Sequence, residues 1–309
     1  MQSLEQKLRK LRDENASISE QVFLKELSDA ANRPKRRWAS ISAFGAAALA
    51  LIAAIVFYEA ETLLGNENAC AIENNVVMMQ LAQPIVDCSR ACIDSVPRVP
   101  AARVSRSEFA RKYAYSGHPV VVTGAARNWS ALANFGHQFF RDVYRRVPNS
   151  VELTETECQF FEYNTDMESL SEFLGMTEKR ASLKEDSWYI GWSNCDSGVD
   201  EIMREYYERP HFLPPADEES SELTWIFMGG TGPGAFLHMD HVDKVSWQAQ
   251  VSGTKSWLLV PPFECEDVCK SVNVTVETGD IIVVDTNFWY HATYVHHGNM
   301  SIAIGSEFD

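Results

Sequence analysis

Basic residues are scarce in this 309-residue chain: 27 Lys and Arg stand against 43 Asp and Glu, for a net charge of −16. That balance argues against a nucleic-acid binder, because a surface of this sign repels phosphates. No two cysteines form a CxxC pair, so the usual spacing of a structural zinc site is missing. Cysteine is absent from the first 39 residues; all seven (Cys70, Cys88, Cys92, Cys158, Cys195, Cys265, Cys269) follow. No internal repeat is visible, which excludes a solenoid. Charge is also missing from residues 40–58, a run of 19 residues.

As a helix that run would span about 28 Å, enough for a bilayer core. Trp38 and Tyr58 flank it as interfacial aromatics do. Residues 1–39 hold nine Lys/Arg and six Asp/Glu, and Lys35-Arg36-Arg37 abuts the run. On its other side Glu59, Glu61, Glu67 and Glu73 precede the next base, Arg90. The asymmetry predicts a type II single-pass membrane protein with a cytosolic segment 1–39, a transmembrane helix 40–58 and a lumenal remainder. The short, Ala-rich span favours endoplasmic reticulum or Golgi. Cysteines confined to the lumenal side suit an oxidising compartment, with up to three disulfides and one thiol left over. Cys88 and Cys92, and Cys265 and Cys269, are equally compatible with local bridges and with distant partners. Three sequons place candidate glycans at Asn128, Asn273 and Asn299.

Residues 59–100 read as a stem and 101–309 as the folded domain. Helical patterns occupy 105–116 and 131–146. Short strand-like runs crowd 222–308: Leu223–Met228, Ala235–Asp240, Ser246–Val251, Lys255–Val260, Val272–Glu277, Ile281–Asp285, His291–His296 and Met300–Phe308. Eight short strands with Gly and Pro turns predict a mainly β, jelly-roll type barrel with flanking helices.

One stretch carries chemistry. In Gly234-Ala-Phe-Leu-His-Met-Asp240, His238 and Asp240 stand two positions apart, on one face of a strand. Phe236 is expected to share that inward face. With the distant His291 they make two imidazoles and one carboxylate, the ligand set of non-haem iron sites with open positions. A second pair, His241 and Asp243, is expected at a loop rim, and His296 and His297 are the competing distal histidines. Lys255 opens the strand after the Ser252-Gly-Thr254 turn, where an ammonium meets an acidic co-substrate.

These motifs together resemble the Jumonji-C, or cupin-like, Fe(II)/2-oxoglutarate oxygenases, over roughly residues 100–309. Gly117-His-Pro-Val-Val-Val-Thr-Gly124 and Asn128-Trp129 resemble the segment that opens such domains. The resemblance implies a double-stranded β-helix, with iron held by His238, Asp240 and His291. It implies 2-oxoglutarate held by Lys255, with Tyr189 and Gln248 assisting. It implies a protein or peptide substrate, hydroxylated and, in some relatives, demethylated. Four positions depart from the family pattern: Ala235 and Gly305 replace threonines, Gln248 an asparagine, and Glu307 a neutral residue. The departures keep two further readings open, a catalytically inactive cupin-fold binding protein and a metal-dependent cupin enzyme that does not use 2-oxoglutarate.

Overall fold

The computed structural model describes residues 88, 92–216, 223–242 and 244–308. Residues 1–39, expected to be cytosolic, the expected transmembrane run 40–58, most of the expected stem, Cys70, residues 217–222 and Asp243 lie outside the described residues. No helix among the described residues is long and apolar enough to cross a membrane.

Among the described residues, twelve strands form two sheets. They are β1 (Arg98–Pro100), β2 (Val120–Thr123), β3 (Phe160–Asn164), β4 (Tyr189–Asn194), β5 (Thr224–Gly229), β6 (Gly232–Pro233), β7 (Val245–Ser252), β8 (Lys255–Val260), β9 (Val272–Val276), β10 (Ile281–Val284), β11 (Tyr290–Val295) and β12 (Ser301–Phe308). The large sheet runs β1-β2-β10-β7-β12-β5-β4-β3 and the small one β6-β11-β8-β9. Apart from the parallel β1–β2 pair, every pairing is antiparallel. Helices pack on the outer face of the large sheet. This is the mainly β, helix-flanked fold expected.

Strand alternation divides the large sheet into two chemistries. Ile190 and Trp192, Ile226 and Met228, Trp247, Ala249 and Val251, and Ile302, Ile304 and Phe308 join one hydrophobic core with the helices. The longest helix, His137–Arg146, buries His137, Phe140, Val143 and Tyr144 there, one stripe at helical spacing. Trp192 donates its indole N–H to Tyr144 at 3.0 Å and lies edge-on to Phe140. The intervening residues of the same strands face the small sheet and form the interior of the barrel.

Three disulfides close the described chain: Cys88–Cys265, Cys92–Cys269 and Cys158–Cys195. The two CxxxC pairs therefore bridge to each other, rung by rung, and not locally. Within each pair a backbone hydrogen bond joins the two cysteines, Cys92 N–H to Cys88 O and Cys269 N–H to Cys265 O. The pairing ties the end of the predicted stem to the segment after β8.

One strand expectation fails. Residues 235–240 are not a strand; only His238 bridges, to His291. Pro233 pairs with Tyr294, and an unbroken register would set Phe236 opposite His291. His238 sits there instead, so two residues are looped out. Phe236 is consequently 63% exposed, not inward. Gly234 enables the close approach before the bulge, since a Cβ there would lie 2.5 Å from Thr293 Oγ1.

Candidate metal centre

β11 and the bulged segment hold the centre between them. His238 N–H donates to His291 O at 3.1 Å, and His291 N–H to His238 O at 2.7 Å. The paired backbones bring the two rings to 4.2 Å between centroids. Each ring is oriented by a carbonyl two residues before it: Nδ1 of His238 lies 2.7 Å from Phe236 O, and Nδ1 of His291 3.1 Å from Trp289 O. A carbonyl only accepts, so each Nδ1 carries a proton and each Nε2 is the atom turned toward the site; the proton that His238 Nε2 shares with Asp240 is the one a metal ion would displace.

Those Nε2 atoms converge on Asp240, at 3.3 Å from Oδ1 for His238 and 3.7 Å from Oδ2 for His291. All three donor atoms lie within 4.8 Å of one another, and no other such group occurs among the described residues. Asp240 is positioned by the β10–β11 turn: its N–H donates to Thr286 O, and Val242 N–H donates to Asn287 Oδ1. Desolvation pushes the Asp240 carboxyl up, but the hydrogen bond to His238 and the two imidazoles outweigh it and hold it below the usual carboxylate range. Burial keeps His291 neutral, with a pKa lowered to about 4. Burial also opposes charging His238, yet the hydrogen bond and charge of Asp240 prevail and raise it.

The three residues expected around a co-substrate tail also meet. Lys255 is 1% exposed in the barrel interior. Its Nζ donates to Tyr189 Oη at 3.2 Å and to Gln248 Oε1. The rings of Trp257, Phe227 and Tyr189 surround it at 5.3, 5.6 and 5.9 Å. No carboxylate among the described residues pairs with it. Desolvation alone lowers its pKa to about 7. Tyr189 reaches Lys255 from β4 on the large sheet, and burial pushes its hydroxyl far upward, so it stays neutral. Thr293, two residues along β11 from His291, accepts the Ala235 N–H and bonds the Tyr189 hydroxyl. Thr293 thus links the strand that carries His291 to the Tyr189 hydroxyl that bonds Lys255 on β8.

The other histidines stay out of the centre. His241 is exposed. His296 lies at the far end of β11, with Nε2 2.7 Å from Ser256 Oγ. Sequence reasoning missed Tyr163 on β3, whose ring lies 5.9 Å from His238 and 5.6 Å from Phe236. It also missed Trp257, stacked on His291 at 5.5 Å. The i+2 spacing of Trp257 from Lys255 was the signal for the latter. Nothing local pointed to Tyr163, which arrives through sheet pairing. Gly305 has a structural cause: a Cβ there would lie 2.3 Å from Trp247 O, so a larger residue requires the neighbouring strand to shift.

A family model described as "Cupin-like domain" matches residues 106–272. The chain belongs to the cupin-like domain family. Among curated relatives of this cupin-like chain, "Arginine-specific demethylase JMJ20" of Arabidopsis thaliana is 23% identical over 262 residues, covering 68% of this chain and 56% of the relative. "Bifunctional arginine demethylase and lysyl-hydroxylase psr-1" of Caenorhabditis elegans is 24% identical over 187 residues, 57% of this chain and 44% of the relative. "2-oxoglutarate and iron-dependent oxygenase JMJD4" of Danio rerio is 25% identical over 112 residues, 27% of this chain and 26% of the relative. The cupin-like chain thus spans about half or less of the length of these relatives.

The donor set, two imidazoles and one carboxylate within 4.8 Å of one another, fits a divalent iron-type ion and would leave coordination positions free for chemistry. The buried Lys255 ammonium fits an anionic co-substrate, since an unpaired buried cation is costly and a carboxylate offsets that cost.

Proposed function

We propose that the protein is an Fe(II)- and 2-oxoglutarate-dependent oxygenase acting on a polypeptide. The observation that carries the reading is the unpaired Lys255 ammonium, held by Tyr189 and Gln248 inside the same barrel as the His238, Asp240 and His291 cluster. A cupin enzyme that used metal alone would have no need of a buried cation there. His238, Asp240 and His291 would hold the metal, with each imidazole already turned by its Nδ1 hydrogen bond so that Nε2 faces the site. Lys255 would take the far carboxylate of 2-oxoglutarate, and Tyr189 and Gln248 would orient the ammonium. When bound, iron and 2-oxoglutarate supply the oxidising power for hydroxylating a C–H bond; the protein's part is positioning. The names of the relatives support a protein substrate, with hydroxylation or demethylation as the outcome.

The test is anaerobic addition of Fe(II), then 2-oxoglutarate, to the purified protein. The expected result is a visible charge-transfer band that requires both. Metal binding without any response to 2-oxoglutarate would favour a different cupin enzyme, and no metal binding a cupin-fold binding protein.

We further infer a lumenal site in the secretory pathway, with the chain anchored through residues 40–58. Three disulfides that engage every described cysteine support an oxidising compartment, and Asn128, Asn273 and Asn299 are all exposed. Digestion of residues 101–309 by protease added to sealed microsomes would overturn this assignment.

A further inference from the structure

Glu307 is a buried acid to which neither metal nor co-substrate assigns a task. On β12, Ile302, Ile304 and Phe308 enter the hydrophobic core, so Glu307 points the other way, with Ala303 and Gly305, into the barrel. It is 6% exposed. Gly305 pairs with Gln248, and Glu307 with Ser246, one pleat further along β7 from Gln248. That step leads toward the metal centre: Ser246 Oγ lies 3.2 Å from Thr286 Oγ1, and Thr286 O accepts the Asp240 N–H. One carboxyl oxygen of Glu307 accepts the indole N–H of Trp225 at 2.7 Å. Among the described residues the other finds no donor, and no cation pairs with the group.

Aromatic rings line the way from this acid to the metal ligands. Trp225 lies 5.9 Å from Phe161, Phe161 stacks on Tyr163 at 5.5 Å, and Tyr163 lies 5.9 Å from His238. These residues are half-buried. An anionic group entering here is repelled by Glu307 and Asp240 together. An apolar group leaves the acid desolvated and unpaired. An ammonium or guanidinium satisfies the free oxygen and gains from the aromatic faces beside it.

We propose that Glu307 is a specificity residue that receives a positively charged side chain of the substrate polypeptide. The proposal rests on the oxygenase reading for the presence of a polypeptide in the barrel. A merely structural Glu307 would serve only as acceptor for Trp225, a task that glutamine also performs.

The experiment uses the full chain without added iron and four labelled peptides that differ only at the central residue: lysine, arginine, norleucine or glutamate. Binding is read by fluorescence anisotropy. Wild type is expected to bind the lysine or the arginine peptide about tenfold or more tighter than the norleucine peptide, the order of a desolvated charge pair. Glu307→Gln is expected to lose that preference, and Glu307→Lys to favour the glutamate peptide. Equal binding of cationic and norleucine peptides by wild type, absence of binding included, would overturn the proposal. So would a cationic preference that survives in Glu307→Gln. Failure of the oxygenase reading would show separately, as a missing charge-transfer band with Fe(II) and 2-oxoglutarate, whatever the peptides do.

Discussion

The two faces of the eight-stranded sheet are made by the same strands and have opposite chemistry. β4 sends Ile190 and Trp192 into the core and Tyr189 to Lys255. β7 sends Trp247, Ala249 and Val251 to the core and Gln248 to Lys255. β12 sends Ile302, Ile304 and Phe308 to the core, while Glu307 faces the barrel. The outer face is dry, apolar and closed by helices. The inner face carries Glu307 and meets Lys255 of β8, two buried charged groups with no ion-pair partner among the described residues. The comparison separates stability from function within single strands: the outer residues contribute most of the burial energy, and the inner ones are kept at a cost to it.

The largest expected effect breaks the outer face. Trp192→Ala removes a fully buried indole from among Phe140, Phe173 and Tyr144 and should cost about 3–5 kcal/mol of stability. Denaturant unfolding measures it, and iron affinity of the folded fraction should be unchanged. A loss of iron affinity without a loss of stability would show that the faces are not separate.

Next comes the inner cation. Lys255→Ala should weaken 2-oxoglutarate binding by about 2–5 kcal/mol, the usual cost of truncating a buried charge pair. That is roughly 30- to 4,000-fold, read by co-substrate titration at saturating iron. Iron affinity should hold. Unchanged co-substrate affinity would remove the principal argument for 2-oxoglutarate.

Titration of the same residue gives a signed effect. Its folded pKa, about 7, lies below the unfolded value near 10.4. Between about pH 7 and 10 the unfolded chain therefore binds a proton that the folded protein has released, and stability of the ligand-free protein rises with pH. Lys255→Met should lack this rise, seen as a narrowing gap between wild-type and variant urea midpoints as pH increases. Co-substrate affinity, which needs the ammonium, should fall as pH rises above about 7.

Tyr189→Phe is the mildest test. It deletes the hydroxyl that bonds Lys255 and Thr293 but leaves Gln248 in place. A loss of about 0.5–1.5 kcal/mol in co-substrate affinity is expected, the net worth of one hydrogen bond. A loss as large as that of Lys255→Ala would make Tyr189 a principal contact.

Local pattern made much of this legible. Lys255–Val260 is a strand over the residues expected, and β10 and β11 begin or end within one residue of their expected bounds. The turn before β8 placed Lys255 at the start of that strand, and the family resemblance gave it a role inside the barrel. The bulge at Phe236 and Leu237 was not legible, because an alternating reading of 235–240 assumes the register that the pairing with β11 interrupts. The metal histidine was found with the wrong supporting argument: His238 faces inward because it pairs with His291, not because it continues a face begun by Phe236.

By itself, the sequence determined which groups were available and at what spacing. Two imidazoles, a carboxylate, a lysine at a strand start and alternating apolar runs are properties of the chain alone, since side-chain periodicity is local. Only the tertiary structure decided which of them meet. The distant cysteine partners, the approach of Tyr189 and Tyr163 from neighbouring strands, and the exclusion of His241 and His296 all depend on register and sheet closure. These are set by contacts between residues far apart in sequence, where one looped-out pair is enough to move a side chain from solvent to the metal centre.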